Sequence, residues 1–168
     1  TFITKEETIK HAKEILETKL REMSALLQLG CFRRAPRRES HNTIDVRWIF
    51  RCKMIDSVRS IKARMTVRGS KDREESLDTF AGTASRSDQR IIDSLTAIEP
   101  DWCSFSIDVS QAFVEGMSFE ELSVLSGEPV RKVQFQLAGV DLDILRKLPG
   151  FKSYNEEREV LEMTKPIY

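Results

Sequence analysis

Two spacings of apolar residues run along the chain, and the places where one gives way to the other mark its elements. Thr4 followed three residues later by Glu7 has the capping-box spacing, in which each side chain satisfies the other residue's backbone N–H. A helix is therefore predicted from Lys5. Ile9, Leu16 and Met23 recur every seven residues, with Leu20 and Leu27 between them, as one apolar stripe down to Leu29. Gly30 is the predicted stop. Heptad spacing suits a coiled-coil seam, but the stripe is short, and packing against the chain's own body is the favoured outcome. Residues 33–43, with Arg33, Arg34, Arg37 and Arg38, read as a basic loop.

From Ile44 the period becomes two. Ile44, Val46, Trp48 and Phe50 alternate with Asp45, Arg47, Ile49 and Arg51, as in a half-buried strand. A polar break at residues 56–60 precedes a second β-rich run from Ile61 to Val67, and the two predict a hairpin. Residues 70–86 read mostly as loop. Ser87 is placed to cap a helix over Asp88–Ile98, which Pro100 ends. Trp102–Val109 reads as a buried strand, and residues 111–116 as a tight turn or short helix. Ser118 with Glu121 is a second capping box, for a helix stopping near Gly127. Val133, Phe135 and Leu137 predict a strand, Asp141–Lys147 a helix, and Leu148-Pro-Gly-Phe151 a turn. Glu159–Met163 is extended at best. Helices and strands of both kinds, with hairpins, indicate an α+β fold.

Composition narrows the picture. The 168 residues include 40% hydrophobic and 32% charged positions, the composition of a globular domain. No apolar run is long enough to cross a bilayer, so no membrane partner is expected. Thr1 is followed by no basic-then-apolar leader. Cys31, Cys52 and Cys103 are scattered and odd in number, which argues for a reducing compartment. The expectation is an intracellular protein, cytoplasmic or nuclear and not secreted. His11 and His41 lack partners at metal-ligand spacing and read as surface or packing residues.

The net charge is zero, from 27 basic and 27 acidic side chains. The zero hides a segregation. Residues 1–30 carry five of each sign. Residues 31–73 carry thirteen basic and four acidic side chains, net +9, and residues 74–168 nine and eighteen, net −9. Such an excess of Arg and Lys has reason to meet phosphate. A solvated hairpin face would account for it equally well.

Four segments carry a resemblance. Trp48-Ile-Phe50-Arg-Cys-Lys53, Ile61-Lys-Ala-Arg64, Ser106-Ile-Asp108-Val-Ser-Gln-Ala112-Phe113 and Leu148-Pro-Gly-Phe151 occur in one order. Over residues 20–168 the chain resembles the reverse transcriptase domain of copia-type retrotransposons. There the order is W-V-F-K-x-K, Y-K-A-R-L-V, L-D-V-x-x-A-F-L and P-P-G-F. Glu22, Leu26 and Gly30-Cys-Phe32 lie where that family's leading helix ends. The resemblance implies an N-terminal amphipathic helix over residues 1–30. Reverse-transcriptase fingers and a partial palm then follow over 31–168, with a basic β-hairpin and a mixed antiparallel sheet with helices.

The resemblance also implies roles. Arg64 matches the arginine that contacts the triphosphate of the incoming nucleotide, where a planar guanidinium grips phosphate oxygens bidentately. Lys62 would assist as a point charge, and Arg47, Arg51, Lys53 and Arg68 would meet nucleic acid. Asp108 matches the first catalytic aspartate, which with the Val109 carbonyl holds Mg2+ in a two-metal phosphoryl transfer. Phe113 matches the aromatic beneath the sugar that excludes a 2′-hydroxyl. Read without the family, Arg64 is a strand arginine pairing with a carboxylate, Asp108 caps a turn and Phe113 packs in a core.

The departures carry information too. Thr79-Phe-Ala81 is followed by Gly82-Thr83 where the family has Pro-Val, with Arg86 at its arginine and Arg90 at the arginine of its helix start. The stretch after Gly116 diverges. Lys165-Pro-Ile-Tyr168 stops where the family's Y-G-L-K-Q motif would start, and no Asp-Asp pair occurs in the chain. One carboxylate does not hold two Mg2+ ions, so the chain alone is expected to be inactive, and Mg2+ to bind only in the complete domain. Two functions follow. One is a fragment of an RNA-directed DNA polymerase from a Pol polyprotein. Its partners would be an RNA or DNA template-primer, a deoxynucleoside triphosphate, and the remaining palm, thumb and RNase H. The other is a non-catalytic remnant that binds nucleic acid through its basic hairpin.

Overall fold

The elements form where local chemistry asks for them. A computed structural model of the protein describes residues 4–55, 58–73, 83–107, 109 and 112–167. The first helix, α1 (Lys5–Lys10), opens with the predicted capping box, Glu7 N–H donating to Thr4 Oγ1 at 3.3 Å. It breaks at His11, and α2 (Ala12–Gln28) continues from there. The end at Gly30 is a Schellman arrangement: Gly30 is left-handed at φ 65° and the Cys31 N–H reaches back to the Leu26 carbonyl at 2.9 Å.

The apolar stripe is buried in its C-terminal half: Met23 is fully buried and Leu20, Leu27 and Leu29 pack against the core, while its N-terminal members face solvent. Ile9 is 79% exposed and Leu16 41%, whereas Ile15, Thr18, Met23 and Leu26 are buried, at the i, i+3, i+8, i+11 positions of one α-helical face.

Strands β1 (Phe32–Pro36), β2 (Thr43–Ile55), β3 (Val58–Val67), β4 (Gln134–Gln136) and β5 (Glu159–Met163) make one mixed five-stranded sheet in the order β1-β5-β4-β2-β3. Only β2 and β4 run parallel; the other neighbours are antiparallel. The fold is α+β, as expected. Two segments read from the sequence as loop or barely extended, within residues 33–43 and 159–163, are in fact the paired strands β1 and β5. Arginine and proline in β1 disguise it. Its partner lies more than a hundred residues away, where Glu159 and Glu162 face those arginines.

The core lies where α2 and the short helices α4 (Ala112–Glu115), α5 (Phe119–Ser126) and α6 (Val140–Leu145) meet the sheet. Phe32, Phe135 and Phe151 form its aromatic centre, with Phe32 edge-on to Phe135 at 5.7 Å between centroids. Met23, Leu145, Leu161 and Met65 fill the space around them. Ser118 and Glu121 close the predicted capping box of α5, and Gly127 ends it at φ 74°. The Leu148–Phe151 turn closes through the Phe151 N–H on the Leu148 carbonyl at 3.1 Å, with Gly150 at φ 80°.

These elements form one compact unit, residues 1–73 with 111–168; residues 74–110 form a second. The second unit contains α3 (Arg86–Ile98), capped by Ser85 rather than Ser87, with Asp88 closing a capping box. None of the residues of α3 is buried. The segment Trp102–Ile107 is not the buried strand expected from its apolar residues. It has no regular structure, and Trp102, Phe105 and Ile107 are exposed. A strand needs a partner ladder, and no other extended segment is described within that unit. Among the described residues, no helix is long and apolar enough to cross a membrane.

Candidate nucleic-acid interface

The register of β2 on β3 decides what the basic residues do. Arg51 pairs with Lys62, Ile49 with Arg64, Arg47 with Thr66 and Lys53 with Ser60. Successive side chains point to opposite faces of a strand, so Arg47, Arg51, Lys53, Lys62 and Arg64 share one face. All five are exposed. The other face carries Val46, Trp48, Ile61, Ala63 and Met65 and turns toward α2 and the core. Arg51 stands directly across from Lys62 and diagonal to Arg64, and like charges at such spacings, about 5 Å between directly opposed Cβ atoms, repel.

Among the described residues, Arg47, Lys53, Lys62 and Arg64 form no ion pair. The two nearby exceptions define the borders of the face. Arg59 lies on the opposite side, its Nε on Cys52 Sγ at 3.2 Å and its guanidinium on Glu7 at 2.9 Å. At the root of the hairpin, Asp45 pairs with Lys71, and that hydrogen bond together with the Lys71 and Arg68 charges holds its carboxyl below the usual range. Arg68 follows β3, and its backbone N–H donates to the Asp45 carbonyl at 3.0 Å.

Three arginines ahead of the hairpin are held by other segments. Arg33 bridges Glu120 and Glu162, Arg34 holds Glu159 and the Gly150 carbonyl, and Arg37 donates to the Glu156 carbonyl. Within the net +9 of residues 31–73, Arg33 and Arg34 of β1 are paired with acidic side chains, whereas Arg47, Arg51, Lys53, Lys62 and Arg64 of the hairpin are exposed.

The hairpin is held rigidly from its inner side. Lys19 on α2 pairs with Asp141 on α6 at 2.6 Å, and Trp48 Nε1 donates to the other oxygen of the same carboxylate at 2.8 Å. The Lys19 ammonium stands over the Trp48 ring at 4.9 Å, and Trp48 stacks with Phe50, their centroids 6.3 Å apart. These groups were not legible as a network, because Lys19, Trp48 and Asp141 are far apart in sequence and each is ordinary alone.

The catalytic half of the expectation falls largely outside the described residues. Asp108 lies outside the described residues. Val109 is exposed, without regular structure, in the second unit. Phe113 falls within α4, and its side chain lies outside what is described. Mg2+ requires about six oxygen ligands in near-octahedral order. Of the expected donor set, the described residues supply the Val109 carbonyl alone. The carboxylate expected to hold the ion with it, Asp108, lies outside the described residues. The assembled site is a rigid cationic strand face whose charges suit a polyanion. Comparison with known proteins brings no match: no family model, no characterised protein and no solved structure is significantly similar to the chain.

Proposed function

We propose that the chain is the fingers and first palm portion of a reverse-transcriptase-type polymerase, with the exposed face of the β2–β3 hairpin as its phosphate-binding surface. The observation that carries this reading is the register that gathers Arg47, Arg51, Lys53, Lys62 and Arg64 on one solvent-facing side, four of them without an ion pair among the described residues. Side chains two apart on one face of a strand are about 6.8 Å apart, so Arg51–Lys53 and Lys62–Arg64 present paired donors to successive phosphate groups. In this reading Arg64 and Lys62 hold the triphosphate of the incoming nucleotide, and Arg47, Arg51, Lys53 and Arg68 the template-primer backbone. Asp108, the Val109 carbonyl and Phe113 belong to the polymerase reading through motif resemblance.

A second reading draws on the same face: it is complete within the first unit and needs nothing from Asp108, so the chain could bind nucleic acid without chemistry. Fluorescence anisotropy with a labelled RNA–DNA template-primer tests both. Binding at low salt that weakens steeply as salt rises is expected, with the log of affinity falling by about 0.9 per log of salt for each phosphate neutralised. Arg64→Ala with Lys62→Ala should lower affinity. The polymerase reading further requires a deoxynucleoside triphosphate to bind, and to lose its affinity with the same two substitutions. Template-primer binding without nucleotide binding favours the second reading, and no binding at low salt overturns both.

A further inference from the structure

The β2–β3 hairpin is anchored along its stem and apolar at its tip. In the stem, Ile61, Ala63 and Met65 are buried, the Ile61 N–H donates to Glu14 Oε1 of α2 at 3.0 Å, and Thr18 Oγ1 donates to the Ile61 carbonyl at 3.3 Å. Arg59 holds the next stretch through Glu7 of α1 at 2.9 Å. Beyond it the surface changes character. Met54 is 69% exposed and Val58 66%. Met54 pairs with Arg59, and Ile55 with Val58 is the outermost described pair. Alternation puts Val58 on the cationic face with Lys62 and Arg64, and Met54 on the reverse. The tip is therefore apolar on both faces, whereas the stem is cationic on one and buried on the other.

We infer that Met54 and Val58 form a wedge that enters the base stack of a nucleic acid held by the cationic face. The inference rests on the reading of that face as phosphate-binding and adds how the bases are met. A wedge that parts two base steps touches a base plane on either side, so it needs apolar groups on both faces, and methionine is among the residues that serve in this way. The reach agrees with this. Val58 lies four residues from Lys62, about 13 Å along β3. The minor groove of an A-form duplex is shallow, and that of B-form DNA only about 7.5 Å deep. Phosphates held at Arg51, Lys53 and Lys62 thus leave the tip within reach of the base edges. Charge selects the partner. Lys53 and Lys62 are exposed beside the apolar tip and form no ion pair among the described residues, which suits a polyanion that also carries apolar planes.

The test uses an RNA–DNA hybrid carrying 2-aminopurine at successive positions of its DNA strand, a base whose fluorescence rises when it is unstacked. It is titrated with the wild-type chain, with Met54→Ser combined with Val58→Ser, and with Arg64→Ala combined with Lys62→Ala. Both tip residues are exposed, so serine there leaves the fold intact. Wild type should brighten one position on binding. The tip variant should bind about tenfold more weakly and without brightening. Its salt slope should equal that of wild type, because it keeps every phosphate contact, whereas the Arg64 and Lys62 variant should lose slope. A mismatched pair at the brightened position lowers the cost of unstacking, so it should tighten binding by wild type and not by the tip variant. Binding by wild type with no brightened position, or equal brightening by the tip variant, overturns the wedge, leaves the cationic face standing and directs the apolar tip to a protein partner instead. No binding by any of the three proteins at low salt overturns both readings.

Discussion

The single Thr18 hydroxyl proton is shared between two carbonyls, that of Glu14 in its own helix at 2.8 Å and that of Ile61 across the gap to β3 at 3.3 Å. Thr18→Val keeps the shape but leaves the Ile61 carbonyl facing an apolar methyl. The expected cost is about 1–2 kcal/mol, read from urea denaturation at unchanged m-value. Glu22 adds a pH dependence. Burial raises its carboxyl above the ordinary value, outweighing the Met65 N–H and the Lys62 and Arg64 charges that lower it. A group that holds its proton more tightly when folded favours the folded state at low pH, and this contribution fades as pH rises through the raised value. Glu22→Gln should therefore gain stability over wild type at about pH 7, and the gain should vanish by about pH 4, below the unfolded carboxyl's pKa. A difference independent of pH between those limits would refute it. Glu159 acts in the opposite sense: the Asn155 N–H and Arg34 hold its carboxyl low, so its contribution is lost as pH falls into the acid range.

Among the elements, β1 and β5 show how pairing overrides composition. Phe32-Arg-Arg-Ala-Pro36 has no strand character of its own, yet it pairs residue for residue with Glu159–Met163, and Phe32 and Leu161 are both buried. Leu161→Ala should remove a fully buried side chain at a site bounded by strands on both sides, where collapse around the gap is restricted. A loss of about 3–4 kcal/mol in chemical denaturation is expected, against well under 1 kcal/mol for truncating the exposed Ile9. The helices are more local affairs. Ser118→Ala removes the acceptor for the Glu121 N–H and one partner of its side chain, which should cost about 1 kcal/mol. Boundaries set by such caps were readable to within a residue or two, and the Gly30 and Gly127 stops were read at the right glycines.

In the molecule as a whole, charge is sorted by pairing, and sequence counts could not show it. Of the arginines before Ser40, Arg33, Arg34 and Arg37 meet acidic side chains or carbonyls of the C-terminal segment, while the hairpin cations face solvent. Arg33→Ala should accordingly leave template-primer affinity and its salt slope unchanged while lowering stability. Lys53→Ala should reduce the slope by about one and lower affinity for every sequence alike. Equal effects of the two substitutions on binding would mean that the face has been misassigned.

The hairpin, the capping boxes, the glycine stops and the α+β class were written in local order, because caps, turns and strand alternation depend on residues within a few positions of one another. The cationic face was half legible: alternation put Arg47 and Arg51 on one side, but only the β2–β3 register brought Lys62 and Arg64 beside them. The role of β1 and β5, the Lys19–Trp48–Asp141 network and the hold of Glu14 and Thr18 on Ile61 of β3 came from contacts between distant segments. Those depend on which surfaces meet when the chain closes on itself, and an isolated stretch of sequence carries no record of its partner.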